Sequence, residues 1–161
     1  MLSRRAFLTR AAMLAGGSAA LAGARSLAAE PAGARVKPVE VTVYKTPTCG
    51  CCRKWVSHLE ANAAFRVVAR DMDDISSVHE GLGVPERLQG CHVAVAGGYA
   101  FEGHVPSDLV AKVLRERPKI AGLAVPGMPV GSPGMEMGTR KDAYDVIAFT
   151  REGKTSVYAR R

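Results

Sequence analysis

The sequence predicts an α/β fold, a mixed sheet flanked by helices, and three observations carry that prediction. VEVTVYK, residues 39–45, alternates apolar and polar positions as a half-buried strand does. Cys52, Trp55, Leu59 and Ala63 recur at helical spacing directly afterwards. The remaining elements then follow as β-α-β-α-β-β-α, with a dense cysteine run where the first strand meets the first helix.

The N-terminus stands apart from that pattern. SRRAFLTR carries Arg4-Arg5 before Phe7-Leu8, an Ala/Gly-rich segment follows, and Ser26-Leu27-Ala28 offers a small-x-small cleavage site. Residues 1–29 resemble a twin-arginine export signal, which implies a periplasmic location and no membrane anchor after cleavage. This segment holds Arg4, Arg5, Arg10 and Arg25. Setting those four of the 22 basic residues aside leaves 18 against 15 acids, a net +3 in place of +7. No basic stripe with interleaved aromatics remains, which argues against nucleic-acid binding. No apolar run reaches the ~20 residues that span a bilayer.

Residues 30–38 read as a linker into one domain over 39–161. Strand 39–45 leads through a TPT turn into a helix from about Cys49 to Asn62. FRVVARDM, 65–72, reads as a second strand and 74–82 as a weak helix, with Asp71, Asp73 and Asp74 as turn and cap residues. HVAVAG and YAFEGHV form a hairpin about Gly97-Gly98. Ser107 or Asp108 is expected to cap the helix LVAKVLRER, which Pro118 stops. Residues 119–139 lack periodicity and form a Gly/Pro/Met-rich loop. DVIAFTREGKTSVYAR closes the chain as a further hairpin turning near Glu152-Gly153.

This order, with cysteines at the first strand–helix junction, resembles the thioredoxin superfamily and its glutaredoxin-type branch. That resemblance implies a thioredoxin-like sheet extended by the Gly/Pro/Met loop and the C-terminal hairpin. It also places His92 where glutaredoxins carry a cis-proline, with Cys91 just before it, facing the cysteine run.

The chemistry centres on TPTCGCCRKW. Cys49 and Cys52 have the C-x-x-C spacing of dithiol oxidoreductases, and a helix N-terminus favours thiolate over thiol. Arg53 and Lys54 add positive charge. A structural disulfide is the bland alternative. Cys51 moves the balance, because a redox pair has no use for a third thiol that invites scrambling. Clustered thiolates suit Cu(I), with zinc as competitor. Cys91 adds a fourth sulfur.

A turn centred on Gly97-Gly98 sets Cys91 opposite His104, and opposed side chains share a face at ~5 Å between Cβ atoms. His104 therefore ranks above His92 as a ligand, since His92 should point to the other face. His58 lies two turns from Cys51, ~10 Å along the axis, which suits packing or support of a ligand better than ligation. Trp55 reads as core, and His79 as a polar-loop residue with no signal. Met128, Met135 and Met137 could supply thioethers to Cu(I), but gap filling beneath the loop is the simpler reading.

TPTCGCCRKWVSHL, GCHVAV, EGHVP and GLAVPGMPVGSPGME together resemble the CopG-type copper-resistance family, over about residues 39–158. That resemblance implies a thioredoxin-like fold, a periplasmic location, copper handling beside other copper-resistance proteins, and metal binding at Cys49, Cys51, Cys52 and Cys91, with His104 next. The leading expectation is a copper-binding protein with a cysteine-rich, multinuclear site, in which redox cycling of the metal stays open. A thiol–disulfide oxidoreductase using Cys49 and Cys52, and a structural zinc module, are the alternatives.

Overall fold

The computed structural model describes residues 37–161. The export signal read over residues 1–29, and the linker up to residue 36, lie outside the described residues. The elements run β1 (Val39–Lys45), α1 (Gly50–Glu60), β2 (Phe65–Asp71), α2 (Ser76–Leu82), β3 (His92–Ala96), β4 (Tyr99–Gly103), α3 (Ser107–Glu116), β5 (Gly122–Val125), β6 (Asp145–Phe149) and β7 (Thr155–Arg160), with a 3-10 turn at Glu86–Leu88. No helix among the described residues is long and apolar enough to cross a membrane.

All seven strands form one mixed sheet in the order β2-β1-β3-β4-β5-β6-β7. β1 pairs with β2 in parallel and β4 with β5 in parallel, and the other neighbours are antiparallel. The parallel pairs are those that a helix connects, α1 and α3 respectively, as crossover geometry requires. Alternate sheet residues feed two apolar clusters. Val41, Val43, Ala94, Phe101, Leu123 and Val125 pack with Trp55 and Leu59 of α1 and Val110 and Val113 of α3. Val93, Ala100, Ala124 and Phe149 pack with Val84, Leu88 and the flank of α2. The sheet is thus covered on both faces, and β1 is fixed between two neighbours with its C-terminal end at the site.

Three differences from the sequence reading have local causes. β5 lies inside the stretch that shows no periodicity, because all four residues of GLAV are buried and leave no alternation to see. Neither Ser107 nor Asp108 caps α3. Pro106 holds the N-cap position without a side-chain bond, and His58 of α1 accepts the Ser107 amide through Nε2 at 3.0 Å. The helix ends on Arg117 in the left-handed region, φ 52°, just before Pro118. α2 starts at Ser76, after the Asp74 carboxylate has accepted the Ser76 amide at 2.8 Å.

Beyond β5 the chain folds back over α1. Gly134 has φ +87°, and a Cβ there would lie 2.8 Å from the Trp55 backbone nitrogen and 3.0 Å from the Cys51 carbonyl oxygen. Only a glycine combines that backbone conformation with that approach. The loop is therefore seated on the first turn of α1. Gly134→Ala should lower stability by about 1–3 kcal/mol, the range for a strained backbone position, read as a lower denaturant midpoint with an unchanged slope. A midpoint equal to the wild type would show that the loop is not seated in this way.

Candidate metal centre

β1 ends at Lys45, and Thr46–Thr48 turn the chain so that the Cys49 amide donates to the Thr46 carbonyl at 3.3 Å. Cys49 then occupies the N-cap position of α1, where its sulfur accepts the Cys52 amide at 3.2 Å. Helix N-termini leave such amides without intrahelical partners, and here a sulfur takes the place of the usual hydroxyl or carboxylate. Cys49 and Cys52 are joined as a disulfide, while Cys51 and Cys91 are free. The Cys51 sulfur is 3.3 Å from that of Cys49. Cys91, arriving from the segment before β3, places its sulfur 3.3 Å from Cys49 and 3.2 Å from Cys52.

The four sulfurs all lie within 4.8 Å of one another, and among the described residues they are the one such group of His, Cys, Asp and Glu donors. Cys52 is buried and the other three are half-buried. Burial first, and then the Cys51 sulfur beside it, push the Cys91 thiol up to about 11. Arg53 and Lys54 are exposed, and the Arg53 guanidinium turns back to the Pro47 carbonyl at 3.4 Å.

The hairpin register agrees with the expected one. Val93 pairs with Glu102 and Ala96 with Tyr99 about a two-residue turn, a register that, extended two steps past the last pair, sets Cys91 against His104. His104, past the end of its strand, is the residue that departs from the alternation, while His92 keeps the face of Ala94 and Ala96. Its ring meets that of His104 edge-on, 5.0 Å between centroids, and packs on Trp55 at 4.6 Å. The ladder stops at Gly103, whose φ of +65° turns the chain and ends the strict alternation just before His104. Both imidazoles are buried, and neither Nε2 has a hydrogen-bond partner. His104 Nδ1 is satisfied by the Pro133 carbonyl at 2.7 Å, so its proton sits there and Nε2 carries the free lone pair.

Other residues fall differently. Trp55 is fully buried and donates Nε1–H to the Val105 carbonyl at 2.9 Å, as a core residue with a satisfied polar tip. His58 supports α3 rather than the sulfurs. His79 is not in a loop. It lies on α2, buried, with Nε2 3.0 Å from Oε2 of Glu102, a residue that sequence reasoning does not single out. One acid in YAFEG, a strand buried at every position, is the available signal. Asp71 pairs with the buried Lys45 ammonium, which no sequence pattern marks either. Two of the methionines do not fill gaps, since Met128 is 50% and Met137 63% exposed, while Met135 is half-buried.

A cavity of about 240 Å³ opens beside the sulfurs, lined by Cys91, His92, Glu102, His104 and Met128 among others. A second opening, about 360 Å³, is lined by Thr46, Asp73, Asp74 and His79 and shares Gln89, Gly90 and Cys91 with the first. Cys91 therefore stands in the wall between two openings.

Two solved structures match this architecture closely. A structure of copper resistance protein CopG, form 1, is 49% identical over 78% of this chain and 98% of its own, with a TM-score of 0.72. The chain belongs to the CopG-like copper-resistance family. Form 2 of the same protein is 48% identical over 78% of this chain and 99% of its own, with a TM-score of 0.73. Residues 88–135, which hold Cys91, His92, Glu102, His104 and Met128, match the family described as "Protein of unknown function, DUF411". No curated protein matches the chain.

The buried imidazoles of this family member make its metal-free form acid-sensitive. Burial, reinforced by His104, lowers His92 from 6.5 to about 3, and burial also lowers His104 and His58. Below about 6.5 the unfolded chain takes up protons that the folded chain refuses. Stability is thus full above pH 6.5 and is lost as pH falls towards 3. Denaturant midpoints of the reduced, metal-free protein should drop between about pH 7 and pH 5, and His92→Phe should flatten that drop. A flat wild-type profile over the same range would contradict the assignment.

Proposed function

We propose that the protein binds Cu(I) through the thiolates of Cys49, Cys51, Cys52 and Cys91, with His104 as a further donor, and that it serves copper resistance or homeostasis. One observation carries the reading: four sulfurs converge within 4.8 Å at a strand–helix junction. The group contains no oxygen donor, and soft thiolates at close range favour Cu(I), with Zn(II) the competitor. The free, buried Nε2 of His104, on a cavity shared with Cys91, fits an added imidazole donor. Cys51 and Cys52 are adjacent, so their side chains diverge and suit two or more ions better than one. His92 and the exposed Met128 line the same cavity and are weaker candidates, and Met135 and Met137 weaker still. Loading displaces the Cys91 proton, since a thiol held near 11 is neutral at physiological pH.

The same proposal includes a thioredoxin-like reading of the sheet, export by the twin-arginine signal, and a periplasmic site of action beside other copper-resistance proteins. A folded-state export route fits a chain that loads metal before crossing the membrane. Copper ions are the cargo in this reading, and redox cycling of the metal would be an addition to it.

A second reading has its own observation. Cys49 and Cys52 form a disulfide, and Cys91 stands within 3.3 Å of both sulfurs, in reach of exchange with either. That geometry suits a thiol–disulfide oxidoreductase.

Metal content and thiol count on one anaerobically purified sample separate the two. Copper binding predicts more than one Cu(I) per reduced chain and a lower ratio in Cys51→Ser at an unchanged unfolding midpoint. Oxidation to the Cys49–Cys52 disulfide should release most of the metal. An unchanged ratio in Cys51→Ser would rule out a multinuclear site that uses this thiol. A chain without copper that exchanges disulfides with a model substrate would establish the second reading.

A further inference from the structure

Cys91 is set apart from the other three sulfurs by how it is held. Cys49, Cys51 and Cys52 ride on the start of α1, whose hydrogen bonds fix them together. Cys91 lies in a bend, one residue before β3 begins, so no ladder bond locates it. Two contacts take over that task. The Thr46 amide donates to the Cys91 carbonyl at 3.3 Å, tying it to the turn that leads into α1. On the other side, the Gly90 amide donates to Oε1 of Glu102 at 2.7 Å.

Glu102 is a costly residue for that second contact. It is fully buried in the middle of the sheet, where a carboxyl group needs partners for both oxygens to offset its lost hydration. Its other oxygen lies 3.0 Å from Nε2 of His79, itself only 3% exposed, close enough for a charge contact but without hydrogen-bond geometry, so the Gly90 amide is the one hydrogen bond the carboxyl group makes among the described residues. A contact that merely tied α2 to the sheet would need no backbone partner beside a cysteine. The cavity and the second opening also meet at the Gly90–Cys91 segment, so openings flank it where apolar packing would otherwise hold it.

We propose that Glu102, steadied by His79, is a positioning residue for Cys91: its carboxyl group grips the Gly90 amide and thereby aims the Cys91 sulfur at Cys49 and Cys52. The proposal rests on the copper-binding reading for its purpose, but not for its geometry. Partners that orient a metal donor change affinity by about tenfold to a hundredfold when lost. The consequence is specific to one thiol.

The wild-type protein tests it first. The Gly90 amide lies outside every strand, yet it should exchange with deuterium more slowly than the exposed loop amide of Gly127. Fast exchange at Gly90 would overturn the proposal. In the reduced, metal-free protein, Glu102→Ala should raise maleimide labelling of Cys91 relative to Cys51, measured by peptide mapping of one sample. General loosening would raise both together, and an unchanged ratio in a folded variant also overturns the proposal. Glu102→Gln keeps a carbonyl acceptor for Gly90 and should restore the ratio. In competition with a Cu(I) chelator, Glu102→Ala should bind about tenfold to a hundredfold more weakly and Glu102→Gln close to wild type.

If the wild type holds no copper, the copper-binding reading fails, while exchange and labelling still decide the grip on Cys91. If Glu102→Ala does not fold, Gly90 exchange in the wild type decides it alone.

Discussion

Cys49 does two jobs with one atom. Its sulfur closes the N-terminus of α1 by accepting the Cys52 amide, and the same sulfur lies within 3.3 Å of Cys51 and Cys91. The rest of the site follows from that constraint. The turn after β1 must deliver Cys49 at the helix start, which fixes Cys51 and Cys52 within the first turn. Because β1 sits between β2 and β3, the helix start is brought over the beginning of β3, where Cys91 waits. The loop after β5 then closes over the assembly through Gly134.

Two kinds of support surround the sulfurs. On the side of α1 and α3 it is apolar, with Trp55 packed against His92 and bonded to the Val105 carbonyl. On the side of α2 it is polar and buried, through His79 and Glu102. A domain of this size has little stability to spare, so a concentration of buried polar groups at one end of the sheet marks where function rather than packing sets the composition.

Much of this was legible in the sequence, and the reasons differ by residue. The register of the β3–β4 hairpin could be read because a two-residue turn at Gly97-Gly98 fixes it. The cysteine cluster could be read because three of its members fall within four positions and the fourth follows from strand order. The meeting of His92 with His104 could not, since it depends on Gly103 leaving the strand conformation. β5 was hidden because a strand buried on both faces has no alternation. His79 and Glu102 are 23 positions apart, and no local pattern joins them. His58 capping α3 is of the same kind, a donor–acceptor pair that exists only once two helices are side by side. The methionines differ in the opposite direction: composition suggested packing, and the chain leaves two of them in water.

The position of Cys91 in a wall between two openings bears on access. A sulfur that forms part of a partition can be approached from the Met128 side and from the Asp73–Asp74 side in turn. The two approaches also differ in lining, one flanked by Met128, His92, Glu102 and His104, the other by Asp73, Asp74 and His79. Such a partition gives the two sides of the protein separate chemical identities.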